Sequence, residues 1–360
     1  MCRADNLGSF LRPDYLLAAR RQGLPAAEVR ALEDRAIAEI VRMQEEVGLP
    51  VVTDGEFRRK LFFSTVLAVA DGFDPEGNTR FHRDEAGHEL HFGVPAPYAR
   101  LRRKASLVDA EYAHTRALTN RPIKVTMPAP SLLRLYWKEG RSDAAYPGPH
   151  GKDQFMDDLI TLMNEDAHAL AAAGAAYLQI DAPHYTYITD PRIRPDIADP
   201  LAALREMIAL DNRVFVGVKA AHPNITLGIH LCRGNYRSLF TGTRPYDDYA
   251  EVVFTEPAVD RLLLEYDDYR SGDFTPLRHV PADRTVVLGL VTTKHSTLEA
   301  QDDLIRRIDQ ATRHIPLDRL ALSTQCGFAS TEEGNAITPD AQRAKLALIV
   351  ATAHRIWGEI

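Results

Sequence analysis

The sequence predicts an α/β fold, a (β/α)₈ TIM barrel with one hairpin-containing insertion, and three observations support this prediction. Short apolar runs recur along the 360 residues, and amphipathic helical patterns lie between them. About eight such βα units can be counted, which is the number that closes a barrel. No linker, low-complexity segment or internal repeat divides the chain, so we expect residues 1–360 to form one catalytic barrel domain.

Eight apolar runs predict the strands in order. The first ends at Leu7-Gly8-Ser9, and the others lie at residues 51–53, 123–126, 177–180, 225–229, 261–264, 286–290 and 319–322. Helical periodicity predicts the longer helices at residues 25–48, 154–173, 200–210, 298–313 and 341–357. Residues 71–104 are polar, dotted with aromatic side chains and too irregular for a βα unit. This pattern predicts an insertion that contains a hairpin, without indicating its role.

The composition excludes several classes of function. Lys and Arg number 43 and Asp and Glu number 50, a formal net charge of −7, so no basic surplus is available to bind nucleic acid. No run approaches the roughly 20 apolar residues that span a bilayer, and residues 1–12 lack the apolar core of a signal peptide. We therefore expect no membrane association and a cytoplasmic location. The three cysteines, Cys2, Cys232 and Cys326, are too few for a disulfide framework, and the oligomeric state is not indicated.

Polar residues at the ends of the predicted strands are the candidates for function. The active site of a (β/α)₈ barrel lies at the carboxyl ends of its strands, where the βα loops converge. The residues that satisfy this criterion are Ser9, Asp54, Glu56, Asp181, His230, Cys232, Glu265 and Cys326. We expect them to surround one opening of the barrel.

Four of these residues form a candidate zinc site. A strand places His230 and Cys232, two residues apart, on the same face, so an imidazole nitrogen and a sulfur can approach one ion. Together with Cys326 and Glu265 they would make a tetrahedral donor set that suits Zn²⁺ better than Mg²⁺ or Ca²⁺. In the alternative interpretation the cysteines are small buried apolar residues and Glu265 forms an ion pair. The spacing alone does not decide between the two.

Zinc at such a site would activate a thiol. A free thiol has a pKa of about 8.5, whereas a thiol that coordinates zinc is deprotonated. Glu265 is then a candidate catalytic residue, because a carboxylate is the ligand that most readily gives way to a substrate sulfur. The same donor set could also activate water.

Three further candidates suit an amino-acid substrate. The carboxylates of Glu56 and Asp181 could hold an ammonium group, and Ser9 with the nearby backbone amides could receive a carboxylate. The alternatives are an ion pair of Glu56 with Arg58 or Arg59, and a capping or turn role for Asp181.

These motifs resemble, in their order and over nearly the whole chain, those of the cobalamin-independent methionine synthases. The closest likeness is to the short single-barrel relatives that correspond to the catalytic C-terminal half. The matching segments are residues 8–13 (GSFLRP), 53–59 (TDGEFRR), 178–181 (LQID), 229–235 (IHLCRGN), 264–267 (LEYD) and 325–328 (QCGF). The resemblance implies methionine biosynthesis, with zinc bound by His230, Cys232, Glu265 and Cys326. It also implies that Ser9, Glu56 and Asp181 hold homocysteine.

The sequence departs from the family pattern at several points. We expect no room in these 360 residues for the N-terminal barrel with which the full-length enzyme holds a polyglutamylated folate. The family's proton-transfer histidine follows the seventh strand, where this chain has Lys294 and the slightly displaced His295, our second candidate catalytic residue. Asn6 stands where the short relatives have a histidine, and Ala182 stands where they have an acidic residue.

The function we expect is zinc-dependent methyl transfer to homocysteine or a similar small thiol. The methyl donor stays open between a folate, a corrinoid and a simple methylated sulfur compound. A thiol alkyl transferase that resembles epoxyalkane:coenzyme M transferase is the first alternative. A uroporphyrinogen decarboxylase-like enzyme is a further alternative, which predicts an arginine-rich pocket and no metal. The last alternative is a non-catalytic zinc-binding protein, which predicts a metal site without an exchangeable ligand.

Overall fold

The computed structural model describes residues 2–83 and 89–359, and its architecture confirms the predicted (β/α)₈ barrel. The strands, in chain order, are β1 (Ala70–Arg83), β2 (Glu89–Arg103), β3 (Lys124–Pro128), β4 (Tyr177–Asp181), β5 (Thr226–Leu231), β6 (Arg261–Glu265), β7 (Thr285–Val291) and β8 (Leu320–Thr324). Strands β3 to β8 form a parallel sheet in sequence order, whereas β1 and β2 pair only with each other. Five of the six parallel strands are buried at every position, as expected for a sheet covered by helices.

Two short segments complete the barrel between β8 and β3. Ala4 forms a parallel bridge with Leu322 of β8, and Val52 forms one with Ile123, just before β3. The side-chain amide of Asn6 donates to the carbonyl oxygen of Val51 at 3.4 Å and links the two segments. The first two predicted strands therefore occupy their expected places, although each is reduced to a bridge.

The helices cover the outside of the sheet. They are α1 (Asp14–Arg21), α2 (Ala26–Glu46), α3 (Thr65–Val69), α4 (Ala113–Leu118), α5 (Pro130–Arg134), α6 (Arg141–Ala145), α7 (Gly151–Ala172), α8 (His184–Ile188), α9 (Pro200–Asn212), α10 (Val218–Ala221), α11 (Ala250–Thr255), α12 (Gln301–Ala311) and α13 (Pro339–Trp357). Short 3₁₀ and π turns lie at Phe62–Ser64, Val108–Tyr112, Arg213–Phe215, Tyr269–Ser271, Thr275–His279 and Leu317–Arg319. Helices α2, α7, α9, α12 and α13 match the five predicted helices. Within the described parts of the chain, no helix is both long and apolar enough to cross a membrane.

Alternation along the strands decides which side chains face the interior of the barrel. Leu262 and Leu264 belong to the large core between sheet and helices, while Leu263 packs in a small separate cluster with residues of neighbouring strands. Since side chains of a strand alternate between its faces, Leu263 and Glu265 face the interior. By the same alternation His230 faces inward between Ile229 and Leu231, which pack in the outer core.

Strands β1 and β2 form the hairpin that was predicted within residues 71–104. Their antiparallel pairing extends from Ala70 opposite Arg103 to Arg83 opposite Glu89, with irregular register near Asp74. The hairpin packs on the region of α5 to α7. There the Ser142 hydroxyl donates to the carbonyl of Pro97 at 3.0 Å, and the Asn78 amide donates to that of Tyr136 at 3.1 Å.

Candidate metal centre and substrate cavity

Three side chains that are remote in sequence converge at the carboxyl end of the barrel. His230 is the next-to-last residue of β5, Cys232 follows that strand, and Cys326 follows β8. Their candidate ligand atoms all lie within 4.8 Å of one another, and the two sulfurs are 3.5 Å apart. All three residues are buried. Among the described residues this is the group of His, Cys, Asp and Glu side chains whose spacing could hold a metal ion.

Hydrogen bonds prepare His230 to act as a ligand. Its Nδ1 atom contacts the carbonyl oxygen of Leu263 at 3.2 Å, and because a carbonyl only accepts, Nδ1 carries the proton. The Nε2 atom is therefore the ring nitrogen left for a metal ion. It is buried and has no hydrogen-bond partner within the described residues. An unpaired buried nitrogen is costly unless a ligand occupies its lone pair, as a metal ion does.

The environment of the two sulfurs favours a thiolate at Cys326 and a protonated thiol at Cys232. The contact with Cys232, and then the neighbouring His230, hold the pKa of the Cys326 thiol well below its usual range, while the same sulfur contact raises the pKa of Cys232. The backbone amide of Gly234 donates to the Cys232 sulfur at 3.2 Å. The Asn235 amide donates to the carbonyl of Gly327 at 2.6 Å and so ties the loop after β5 to the loop that carries Cys326.

Glu265, the fourth predicted ligand, is not part of this group. It ends β6 and is fully buried, but its carboxylate binds other partners. One oxygen lies 2.8 Å from an Arg270 guanidinium nitrogen and 3.4 Å from the Lys294 ammonium, and the other accepts from the backbone amide of Arg233 at 2.8 Å. This arrangement matches the ion pair of the alternative interpretation. A role of Glu265 as a zinc ligand or exchangeable group stays a prediction.

Lys294 is a residue near the metal group that the sequence interpretation did not select. It follows β7, its side chain is almost fully buried, and besides Glu265 it lies 3.6 Å from Asp267. Its positive charge lowers the pKa of both cysteines. Because it is a polar residue just beyond a strand, the same strand-end criterion could have identified it. His295, the candidate for proton transfer, is exposed and does not line the cavity, so the structure does not bring it to the metal group.

The three predicted substrate residues line the same cavity as the metal group. This cavity has a volume of about 1010 Å³, and Ser9, Glu56 and Asp181 are in its wall. Gly327, next to Cys326, leaves room for Ser9, because a Cβ atom there would lie 1.9 Å from the Ser9 hydroxyl oxygen. Gly8 does the same for Glu56, since a Cβ atom at this position would lie 2.6 Å from a carboxylate oxygen.

Glu56 presents an unused acceptor in this cavity. Its Oε1 accepts from the Thr126 hydroxyl at 2.7 Å and lies 3.6 Å from Arg59, whereas Oε2 is buried without a partner in the described chain. Arg59 makes its closer ion pair with Glu111, at 2.6 Å. The backbone of Glu56 has a φ of 60°, a strained conformation that often marks functional residues.

Of the acidic residues that line the cavity, Glu56 and Asp181 lack a full counter-charge. Burial raises the pKa of Glu56 to about 7, against the opposing charge of Arg59, and the charge of Asp181 raises it further. Burial also raises the pKa of Asp181 to about 6, although His230 and a hydrogen bond from Gln179 oppose this. A cation bound between two such carboxyl groups would stabilise their ionised forms.

The chain is similar to several known proteins. The family described as the cobalamin-independent synthase catalytic domain matches residues 12–354. The uncharacterized protein YxjG of Bacillus subtilis is 36% identical over 374 residues, which cover 99% of this chain and 94% of that protein. A methionine synthase of Pyrococcus abyssi is 26% identical over 328 residues, which cover 89% of this chain and 85% of the relative. A crystal structure from Listeria monocytogenes, provisionally described as a vitamin B12-independent methionine synthase, has 27% identity and a TM-score of 0.72, with 99% of this chain and 98% of that chain covered.

Proposed function

This chain belongs to the cobalamin-independent methionine synthase family, and on that premise we propose that it is a zinc-dependent transferase that methylates the sulfur of homocysteine or a similar small thiol. Membership of the family supports a methyltransferase activity. The observation that carries the zinc-dependent form of the proposal is the convergence of His230, Cys232 and Cys326 within 4.8 Å at the mouth of the barrel.

The residues present fit a zinc ion. Cysteine sulfur and histidine nitrogen are the common protein ligands of zinc, and this site offers two sulfurs and one imidazole nitrogen. Mg²⁺ and Ca²⁺ prefer oxygen ligands, so sulfur ligands disfavour their binding. The unpaired Nε2 atom of His230 and the low pKa of Cys326 supply an available lone pair and a thiolate. Zinc held by these three residues would bind the substrate thiol as a nucleophilic thiolate at neutral pH.

Charged residues around the group balance its negative charge. Lys294 and Arg270 contact the Glu265 carboxylate, and Lys294 also acts on both cysteines. Without these cations, two thiolates and a carboxylate would repel one another in a buried site. We assign to Lys294 the role of lowering the pKa of both cysteines, and to Arg270 that of orienting Glu265.

The amino-acid part of the substrate is assigned to the acidic and hydroxyl residues of the cavity. Glu56, through its free Oε2, and Asp181 would bind the ammonium group, and the Ser9 hydroxyl would bind the carboxylate. This anchoring directs the thiol toward Cys232 and Cys326, which line the same cavity. Holding the sulfur in one orientation raises its effective concentration toward a methyl donor that enters from the open side.

The cavity has room for that second substrate. Cavities of roughly 300–1,000 Å³ hold drug-sized ligands, and the volume here is about 1010 Å³. A thiol alkyl transferase resembling epoxyalkane:coenzyme M transferase would use the same metal group and is distinguished by its substrates. The metal group itself argues against a decarboxylase, for which we expected no such cluster.

The metal content of cysteine variants tests the proposal. We expect about one zinc per chain in the purified protein and in Cys2→Ser, and loss of zinc in Cys232→Ser and Cys326→Ser. Cys2 is a matched control because it is a free thiol that lies among residues near Leu263, away from the cavity wall. In a cobalt-substituted protein, homocysteine should change the visible absorption as its sulfur binds. Equal zinc content in all four proteins, or an unchanged spectrum with every small thiol, would contradict the proposal.

A further inference from the structure

The hairpin formed by β1 and β2 supplies one wall of the substrate cavity. Arg80 of β1 and Phe92 of β2 line the cavity that also contains His230 and Cys326. The ring of Phe92 stacks on Tyr236, with centroids 5.6 Å apart, so the hairpin touches the loop that follows Cys232. The insertion, to which the sequence assigned no role, therefore borders the space that a second substrate must enter.

This outer part of the cavity differs in chemistry from the strand ends. The strand ends contribute the metal group and the acidic residues Glu56 and Asp181. The outer wall contributes aromatic rings, namely Phe92 on the hairpin, Tyr136 and Trp137 after α5, Tyr187 in α8, Phe62 in the turn before α3 and Tyr236 in the loop after β5. The same outer wall contains the cations Arg80, Lys152, Arg192 and Arg194 and the acids Asp190 and Asp196. The wall therefore changes from acidic at the strand ends to aromatic, with more cations than acids, near the hairpin.

Arg80 is a cation in this wall that pairs with no carboxylate of the described residues. Arg192 and Arg194, which also line the cavity, pair with Asp190 at 2.5 Å and Asp196 at 2.6 Å. Arg80 instead donates to the backbone carbonyls of Thr79, at 3.0 Å, and Leu135, and it forms no ion pair with a carboxylate of the described residues.

The Tyr136 ring favours the charged form of Arg80, whereas burial and Arg194 disfavour it. Its guanidinium lies 5.8 Å from the centre of the Tyr136 ring. Burial lowers the pKa of Arg80, and the charge of Arg194 lowers it further. Lys152, an exposed residue at the start of α7, lines the same wall and also lacks an ion pair within the described chain. Uncompensated cations at a partly buried wall indicate that the natural counter-charge is part of a ligand.

We propose that the hairpin wall is the binding subsite for the second substrate, and that Arg80 determines specificity by binding an oxyanion carried by a flat, apolar molecule. The guanidinium offers a planar pair of donors to a carboxylate, sulfonate or phosphate, and Phe92 with its aromatic neighbours packs against the body of the ligand. The inference rests on the proposed function, since the occupant would be the methyl donor of that reaction.

Small aromatic probes test the subsite on the full-length, zinc-loaded protein. 4-Acetamidobenzoate carries a carboxylate, phenyl phosphate carries a phosphate, and methyl 4-acetamidobenzoate has no charge. Binding can be followed by quenching of tryptophan fluorescence, because Trp137, one of two tryptophans in the chain, lines the cavity. We expect at least one anion to bind about tenfold more tightly than the ester, and the tighter of the two anions identifies the type of oxyanion.

Variants then assign the discrimination to Arg80. Arg80→Gln should bind all three probes with the affinity of the ester, and Arg80→Lys should recover part of the preference. Phe92→Ala should weaken the anions and the ester alike. Arg100→Gln is the matched control, because this hairpin arginine pairs with Asp158 at 3.0 Å and does not line the cavity. Equal binding of anions and ester to the unaltered protein, or equal effects of the Arg80 and Arg100 variants, would overturn the proposal.

The metal centre is measured separately in the same proteins. In Arg80→Gln, the change that homocysteine causes in the cobalt spectrum should persist. If no thiol alters that spectrum while the preference for anions holds, the proposed transferase function fails and the subsite stands. If the thiol binds normally but Arg80 makes no difference, only the subsite is refuted.

Discussion

Glu56→Gln is expected to stabilise the free protein at pH 8 while it weakens the binding of homocysteine. Burial raises the pKa of Glu56 from 4.5 to about 7. A carboxyl group whose pKa is higher in the folded than in the unfolded state contributes stability below the unfolded value, and that contribution is lost as the pH rises through the folded value. The ionised Glu56 therefore destabilises the free protein at pH 8, and an uncharged glutamine does not.

The magnitude follows from the two pKa values. One pH unit corresponds to about 1.4 kcal/mol, so the interval from 4.5 to about 7 corresponds to about 3 kcal/mol at pH 8. The glutamine loses the 3.6 Å contact with Arg59, so we expect a net gain of about 1–3 kcal/mol. A charge-assisted hydrogen bond contributes about 1.5–3 kcal/mol, so homocysteine should bind about 10- to 100-fold more weakly.

Unfolding and binding are both measured at pH 5 and pH 8. The stability advantage of Glu56→Gln should be small at pH 5 and should grow toward pH 8. Homocysteine affinity is compared between the two proteins at the same pH, so the ionisation of the thiol itself affects both values equally and cancels in their ratio. Glu111→Gln is the control of opposite sign, because the ion pair with Arg59 outweighs burial and lowers the pKa of Glu111. If the advantage does not grow with pH, or if homocysteine affinity changes less than twofold, the reasoning about Glu56 is wrong.

Three further predictions concern the backbone, a buried acid and the metal. Gly8→Ala should lower the free energy of unfolding by about 2–4 kcal/mol, because the φ of Gly8 is 118° and the new Cβ would lie 2.6 Å from a carboxylate oxygen of Glu56. Gly23→Ala is its control: Gly23 has a φ of 65° and open space around it, so the free energy of unfolding should fall by only about 1 kcal/mol in the same denaturation assay. Burial raises the pKa of Asp211 to about 7, so its contribution to stability is lost as the pH rises through 7; Asp211→Asn should melt with a weaker dependence on pH between 5 and 8, and an unchanged dependence would refute this. Protein treated with a chelator should have a free energy of unfolding about 4 kcal/mol lower than protein in a zinc concentration roughly 1,000 times the Kd. Calorimetry that finds no difference between these two samples would argue against a bound ion.

The fold and much of the candidate site could be predicted from local properties of the sequence. Strands and helices follow from the period of apolar residues, so the six strands of the parallel sheet and the five longer helices were predicted close to their observed positions, and the first two predicted strands are observed as bridges. The rule that barrel strands end at the active site then placed Ser9, Glu56, Asp181, His230 and Cys326 at one opening, and the structure puts them around one cavity.

The sequence by itself determined which residue types stand at the strand ends, because hydrophobic period and strand alternation are properties of neighbouring residues. Tertiary structure alone decided which charges meet. Glu265 pairs with Arg270 and Lys294, whereas Arg80 reaches the cavity without a carboxylate partner among the residues that the structure describes. Pairing between charges depends on distances of a few ångströms between segments far apart in the chain, and the hairpin's position is set by its packing on α5 to α7. No local pattern contains those distances.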